Sequence, residues 1–468
     1  MGLYATWVAE AAASDGRQWA KTTWHRILDA GRRRLTAGQA QPTRWNGETG
    51  FLEDALQAQS RRTAPLATSP RIVHLIGTLG PGGAERQLCN CVVGARQRGY
   101  DASVILMFEP VGDHGHYYHL LVEAGVPVTI AGASFNPRFP AALRNVPGGA
   151  RNVYQLPVEC RPVIHDVLGE LLVDRPDVLH TWLDASNVWG GIAGTLAEVP
   201  RIVLSTRNVN PSNFPVLDTP YFQRAYGALL QNPNVRLINN SHAGAADYAT
   251  WLGIPEERIS VVLNGLDVSR LHSATELEAA AFRSRFRIPV DAQVIAGVFR
   301  LAEEKQPFTF LETVRGVAAQ CPTAVAVIAG IGPLEQEMRQ FVSANGLEGK
   351  VVFLGRLMDL SALYGTAAVT VLCSRKEGTP NVLLEAQWLG CPVVSTRAGG
   401  AVDAVADGVT GYLVDVNDIA GLQQAVITLL QDPARRAAMA ANGPGFIQSR
   451  FSVDHMVTET LKVYGIHA

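Results

Sequence analysis

The segment SRKEGTPNVLLEAQWLGCPVVST (374–396) holds the densest chemistry in the 468-residue chain. Glu377 closes a turn rich in Gly378, Thr379 and Pro380. Asn381 reads as a helix N-cap, and VLLEAQWLG as a short helix stopped by Gly390. Glu385 then lies in the second turn of that helix, so one carboxylate stands outside the helix start and a second lies one turn inside. A charged acceptor makes the stronger hydrogen bonds, so this pair suits the hydroxyls of a sugar or a ribose. The free N–H groups of Thr379, Pro380's neighbour Asn381 and Val382, at a helix start, suit a phosphate. In GVFRLAEEKQP (297–307), Arg300 and Lys305 follow an apolar strand, where α/β sheets bind ligands. A planar guanidinium fork and a point-like ammonium together suit a diphosphate. GTLGPGGAERQ (77–87) is a third candidate, set between a strand and a helix. Gly80, Gly82 and Gly83 permit close backbone approach, and the helix start offers N–H groups to an anion. It is neither a Walker loop nor a clean GxGxxG, and a Gly-rich turn also occurs for packing alone.

These motifs need rigid elements behind them. From Arg71, β-branched apolar runs alternate with longer mixed segments. The first series is 71–78, 102–108, 126–132, 177–183, 201–207 and 235–241. The second is 294–300, 324–330, 351–355, 369–374, 392–398 and 411–415. Near-continuous apolar strands fit a parallel sheet covered on both faces. Helical segments such as 84–98 and 334–345 between them imply right-handed βαβ units. A polar stretch near 265–292 separates the series. The expected fold is α/β, with two doubly wound, Rossmann-like parallel-sheet domains facing each other across a cleft. A last amphipathic helix from about Ser452 is expected to pack back across the domains.

Composition narrows the class. Hydrophobic residues make up 47% and charged residues 18%, which suits folded domains, and the length suits two or three of them. The net charge of −2 lacks the basic field usual for nucleic-acid binding, so no nucleic-acid partner is expected. No apolar run approaches the ~20 residues that span a bilayer. No signal peptide is visible, and the chain reads as cytoplasmic. The six cysteines form no CxxC or zinc spacing and read as buried reduced thiols.

Residues 1–66 differ. Trp7, Trp19 and Trp24 lie among Ala, Arg and Lys, and Arg32, Arg33 and Arg34 follow. This reads as a helical extension and tether. A basic, Trp-bearing helix suits peripheral contact of residues 1–40 with an anionic membrane on its cytoplasmic face, or packing on its own protein.

The second half resembles the retaining GT-B glycosyltransferases of family 4, which belong to the glycosyl transferases group 1. The residues that carry the resemblance are Arg300 and Lys305, AGIGPLEQEM (329–338) with Gly330, FLGR (353–356), and Glu377 with Glu385 in EGTPNVLLEA (377–386). SHAGAADY (241–248), VVLNGLD (261–267) and GTLGPGGAERQ (77–87) match the first-domain regions. The likeness spans about residues 70–467. It implies a GT-B fold with an extension at 1–66, an acceptor-binding domain at 67–265, a nucleotide-sugar domain at 266–446 and a C-terminal helix at 447–468. It implies that Arg300 and Lys305 hold the donor diphosphate, Glu385 the ribose and Glu377 the transferred sugar. The backbone near Gly355 and Arg356 would meet the base, and Gly82 and Gly83 would approach the diphosphate and the acceptor. No metal or other cofactor is implied, since Arg, Lys and a helix N-terminus stabilise the leaving diphosphate.

One departure stands out. Many members carry HxH after the strand that matches DVLHTWLD (177–184), and here the second His is replaced by Trp182. His180, Asp184, Arg207 and Asn208 are the acceptor-side candidates, with His180 equally readable as a core residue. The expected activity is retaining hexosyl transfer from a nucleotide sugar to a glycan or lipid-linked acceptor in surface polysaccharide synthesis. A GT-B sugar-nucleotide epimerase, a sugar-phosphate synthase and a non-catalytic nucleotide-sugar-binding subunit are the alternatives. A donor-only reaction would mark the epimerase.

Overall fold

A computed structural model describes residues 69–133, 160–214 and 221–466, together with Leu66, Val146 and 217–219. The extension expected at 1–66, with its membrane-contact reading, lies outside the described residues apart from Leu66.

Among the described residues two all-parallel sheets form. The first runs β3-β2-β1-β4-β5-β6-β7, with β1 Arg71–Ile76, β2 Asp101–Leu106, β3 Val128–Ile130, β4 Val178–Trp182, β5 Arg201–Thr206, β6 Val235–Asn239 and β7 Ile259–Val261. The second runs β10-β9-β8-β11-β12-β13, with β8 Gln293–Val298, β9 Ala324–Ala329, β10 Val351–Gly355, β11 Ala367–Leu372, β12 Val393–Thr396 and β13 Gly411–Val414. Each of the twelve apolar runs became a strand. The seventh strand of the first sheet, β7, was not expected, because three residues carry too little pattern to stand out. The order reverses between β1 and β4 and between β8 and β11, which puts a crevice at the carboxyl ends of those strands. All six residues of β9 are buried, as a sheet covered on both faces requires.

Seven helices position the site: α1 Gly83–Gln97, α2 Asp184–Leu196, α3 His242–Leu252, α4 Pro307–Gln320, α5 Asn381–Trp388, α6 Pro433–Arg450 and α7 Val453–Tyr464. The chain crosses between the domains at Gly265–Leu266 and again at Phe451–Ser452. The Leu266 N–H donates to the Phe451 carbonyl at 2.7 Å, so the two crossings run side by side. The C-terminal segment is thereby divided. α6 packs on α5 in the second domain, whereas α7 lies on α1 in the first. That contact is close: a Cβ on Gly94 would sit 2.7 Å from Val457. Met456, Val457, Leu461 and Tyr464 complete the apolar layer on that face of the first sheet. The polar stretch at 265–292 contains a helix, Glu276–Arg285, started by a capping box between Thr275 and Glu278. All six cysteines are free and buried. No helix among the described residues is long and apolar enough to cross a membrane.

Candidate functional site at the domain junction

The turn from β11 into α5 supplies Glu377, Thr379 and Pro380, and α5 supplies Asn381, Val382 and Glu385. Asn381 differs from its expected role. Pro380 takes the N-cap position and Asn381 is the first helical residue. Its Oδ1 instead accepts from Asn264 Nδ2 at 2.9 Å and from Gln87 Nε2 at 3.2 Å, both in the first domain. Capping looked sufficient from local sequence, but tertiary partners compete for the same oxygen. Thr379 Oγ1 donates to the Asn240 carbonyl at 2.6 Å, and the Thr379 carbonyl accepts from Asn264 Nδ2 at 3.1 Å. Gly390 follows the helix with φ of +73°, as the stop signal requires.

Glu377 is buried. Its Oε1 accepts from Lys305 Nζ and from Ser374 Oγ, each at 2.5 Å. Residues 72 apart in sequence thus meet. Arg300 does not join them. Its guanidinium pairs with Glu304, and its side chain is 66% exposed. Gly330 lies beneath this strand end: its φ is +148°, and its amide donates to the Gly355 carbonyl at 2.8 Å. Arg356 reaches across the cleft to Asp113 at 3.6 Å, with both side chains exposed.

Glu385 is buried and meets Arg86 of α1 at 2.6 Å. The Arg86 guanidinium is held above its usual range: burial lowers it, but Glu385 and Tyr117 raise it more. On the same helix, Gln87 Oε1 accepts from the Gly265 N–H at 2.7 Å, and Asn90 Nδ2 donates to its carbonyl at 3.0 Å. Arg86, Gln87 and Asn264 were not singled out from sequence, although all lie inside motifs that were. Their partners in the second domain are 115 to 299 residues away, so no local pattern marks them.

The space over Gly82 is occupied by a side chain. A Cβ there would lie 2.1 Å from the Glu85 carboxylate. Gly83 faces the second domain, with its missing Cβ 3.0 Å from Asn381. Burial pushes the Glu85 carboxyl from its ordinary 4.5 up to about 7, partly offset by a backbone N–H of its own helix start. The native state therefore holds this proton more tightly than the unfolded chain does. Stability contributed by protonated Glu85 should fall as pH rises from about 4.5 through 7. Glu85→Gln is expected to flatten that decline, so thermal melts across this range should favour the variant increasingly towards pH 7. Parallel wild-type and variant curves would place the titration elsewhere.

On the acceptor side, His180 is a core residue. It has no exposure, its Nδ1 bonds to the Tyr464 hydroxyl at 2.7 Å, and it stacks on Trp182 at 4.6 Å between centroids. Alternation along β4 turns both side chains to the face covered by α1 and α7. Asp184 opens α2, after Leu183 at φ +72°, a conformation rare for any residue that carries a Cβ. Its Oδ1 accepts from Tyr226 at 2.8 Å and Tyr248 at 2.6 Å, and burial raises its carboxyl. Arg207 is buried over the Trp182 ring at 4.8 Å and donates to Asn264 Oδ1 at 2.6 Å; burial pulls it down to about 10. Asn208 Oδ1 accepts from the next amide, and its carbonyl accepts from Asn239.

His74, Cys91 and His180 bring ligand atoms within 4.8 Å of one another. Trp182 Nε1 donates to His74 Nδ1 at 3.1 Å. An indole nitrogen only donates, so neutral His74 accepts through Nδ1 and carries its proton on Nε2.

Two family models match the chain: Glycosyltransferase Family 4 over residues 81–270, and Glycosyl transferases group 1 over residues 279–446. The Vi polysaccharide biosynthesis protein VipC/TviE of Salmonella typhi is 28% identical over 418 residues, which is 86% of this chain and 72% of that protein. A D-inositol 3-phosphate glycosyltransferase of Corynebacterium urealyticum is 32% identical over 245 residues, 50% of this chain and 57% of the relative. Among solved structures, Anabaena Alr3699/HepE in complex with UDP and glucose superposes with a TM-score of 0.68 at 23% identity. That match covers 85% of this chain and 99% of the other, and it carries the GT-B fold.

Proposed function

We propose that this chain, a GT-B glycosyltransferase in which a family 4 domain precedes a group 1 domain, transfers a hexose from a nucleoside diphosphate with retention of configuration. The acceptor in this reading is a glycan or lipid-linked saccharide of surface polysaccharide assembly. The similarity to a Vi polysaccharide biosynthesis protein supports it. The observation that carries the donor assignment is the convergence of Lys305 and Glu377 at 2.5 Å beside the start of α5, with Glu385 one turn inside.

In this reading Lys305 and Arg300 take the diphosphate, and binding draws Lys305 away from Glu377. Freed carboxylate acceptor sites on Glu377 then take sugar hydroxyls, and Glu385 takes the ribose. Gly330 and Arg356 border the base, and Thr379 to Val382 border the phosphates. The acceptor oxygen bonds to the anomeric carbon on the face that the phosphate leaves. Its proton passes to the departing phosphate oxygen, and no metal ion takes part. Asp184, Arg207 and Asn208 frame the acceptor side.

A donor panel tests this: nucleoside diphosphate release is measured in chelator, with and without lipid-linked acceptors. The expected result is acceptor-dependent release and a product with the donor's anomeric configuration. Conversion of the donor into an epimeric nucleotide sugar without acceptor would favour the epimerase, and an inverted product would remove the front-face step. Deleting residues 1–60 is expected to leave nucleotide binding intact and to weaken sedimentation with anionic vesicles. Loss of nucleotide binding would make the extension structural.

A further inference from the structure

We propose that Arg86 is a positioning residue of the donor site, holding the Glu385 carboxylate in place from the opposite domain. This rests on the reading of Glu385 as the ribose-binding carboxylate. The Glu385 side chain is 4% exposed, and among the described residues Arg86 is its ion-pair partner. Tyr364 is a further polar neighbour, whose hydroxyl is 3.5 Å from Oε2 and donates to the Val382 carbonyl at 3.2 Å. A buried carboxylate needs such a partner to stay ionised and fixed.

The contact belongs to a matched pair of helix faces. Asn381 and Glu385 are four residues apart and share one face of α5. Gln87 and Arg86 of α1 meet them in turn, at 3.2 and 2.6 Å. The sequence places Arg86 immediately after the Gly loop, so the loop that lets the domains approach also delivers the guanidinium. The ion pair does not fill the site. Arg86 engages one oxygen, Oε1, and an ionised carboxylate has about four acceptor positions. Two vicinal hydroxyls can therefore bind while Arg86 stays. Because Arg86 belongs to the first domain, Glu385 is aimed for ribose only when the cleft is closed.

The test compares binding of UDP, GDP, ADP and CDP with that of their 2′,3′-dideoxy counterparts, by calorimetry, in the full chain. For the wild type, removing both hydroxyls is expected to weaken the best binder by about tenfold or more, the size of lost hydrogen bonds to a charged acceptor. In Arg86→Ala that penalty should shrink to about threefold or less, and Arg86→Lys should restore part of it. A merely structural role would weaken both ligands equally and leave the ratio unchanged, which would overturn the proposal. Glu385→Ala separates the two levels. If it abolishes the penalty and Arg86→Ala does not, Arg86 alone is wrong. If Glu385→Ala keeps the full penalty, or no diphosphate binds the wild type, the ribose assignment falls and Arg86 with it.

Discussion

Glu377→Ala is expected to lower kcat/KM by about a hundredfold or more while the chain still folds. The side chain converges with Lys305 and Ser374 on one oxygen, and its backbone carbonyl accepts from the Gly400 N–H at 3.1 Å. The peptide therefore stays anchored when the carboxylate is removed. What is lost is the partner of Lys305 and, in the proposed reading, the charged acceptor for the sugar. That ammonium remains 23% exposed, so water reaches it and the stability cost should stay within about 1–3 kcal/mol. Glu377→Gln keeps shape and one acceptor oxygen, and its activity should fall less. Thermal melts separate folding from function. A folded alanine variant with wild-type kcat/KM would move the sugar contact to another residue.

Gly330→Ala is expected to destabilise the second domain by about 3 kcal/mol or more. An added Cβ would stand 1.9 Å from the Phe299 carbonyl oxygen and 2.9 Å from its carbon. Both are backbone atoms at the end of β8, so relief requires moving the strand end that carries Arg300. Gly408→Ala is the control. Its φ of +74° is also left-handed, yet nothing lies within 4 Å. It should cost only the conformational strain of about 1–2 kcal/mol. Denaturant midpoints read both. Equal losses would mean that φ alone, not the Phe299 contact, makes glycine necessary at 330.

Local sequence carried the architecture because its signals are short-range. A run such as AVAVIA needs no knowledge of its neighbours to read as a buried strand, and all of its residues are buried. The Gly390 stop and the start of the last helix near Ser452 were legible for the same reason. The candidate site was legible as positions: Arg300, Lys305, Glu377 and Glu385 stand at strand ends and a helix start. How they pair was not. Arg300 and Lys305 read as two cations for one diphosphate, yet Lys305 meets Glu377, while Arg300 turns outward to Glu304. The acceptor side was least legible. His180 and Trp182 share one face of β4, and only the packing of α1 and α7, the latter with Tyr464, makes that face core.

The sequence alone determined two parallel α/β domains of the glycosyltransferase type and the motifs that border the cleft between them. Strand periodicity, helix signals and glycine positions act over a few residues, so they survive without a partner. Only the tertiary structure decided that Arg86 meets Glu385, that Asn381 binds across the domains rather than capping its helix, and that Glu85 covers Gly82. Each depends on packing one domain against the other or one side chain over its own loop. Burial then sets the charge state and the available partner of every group involved.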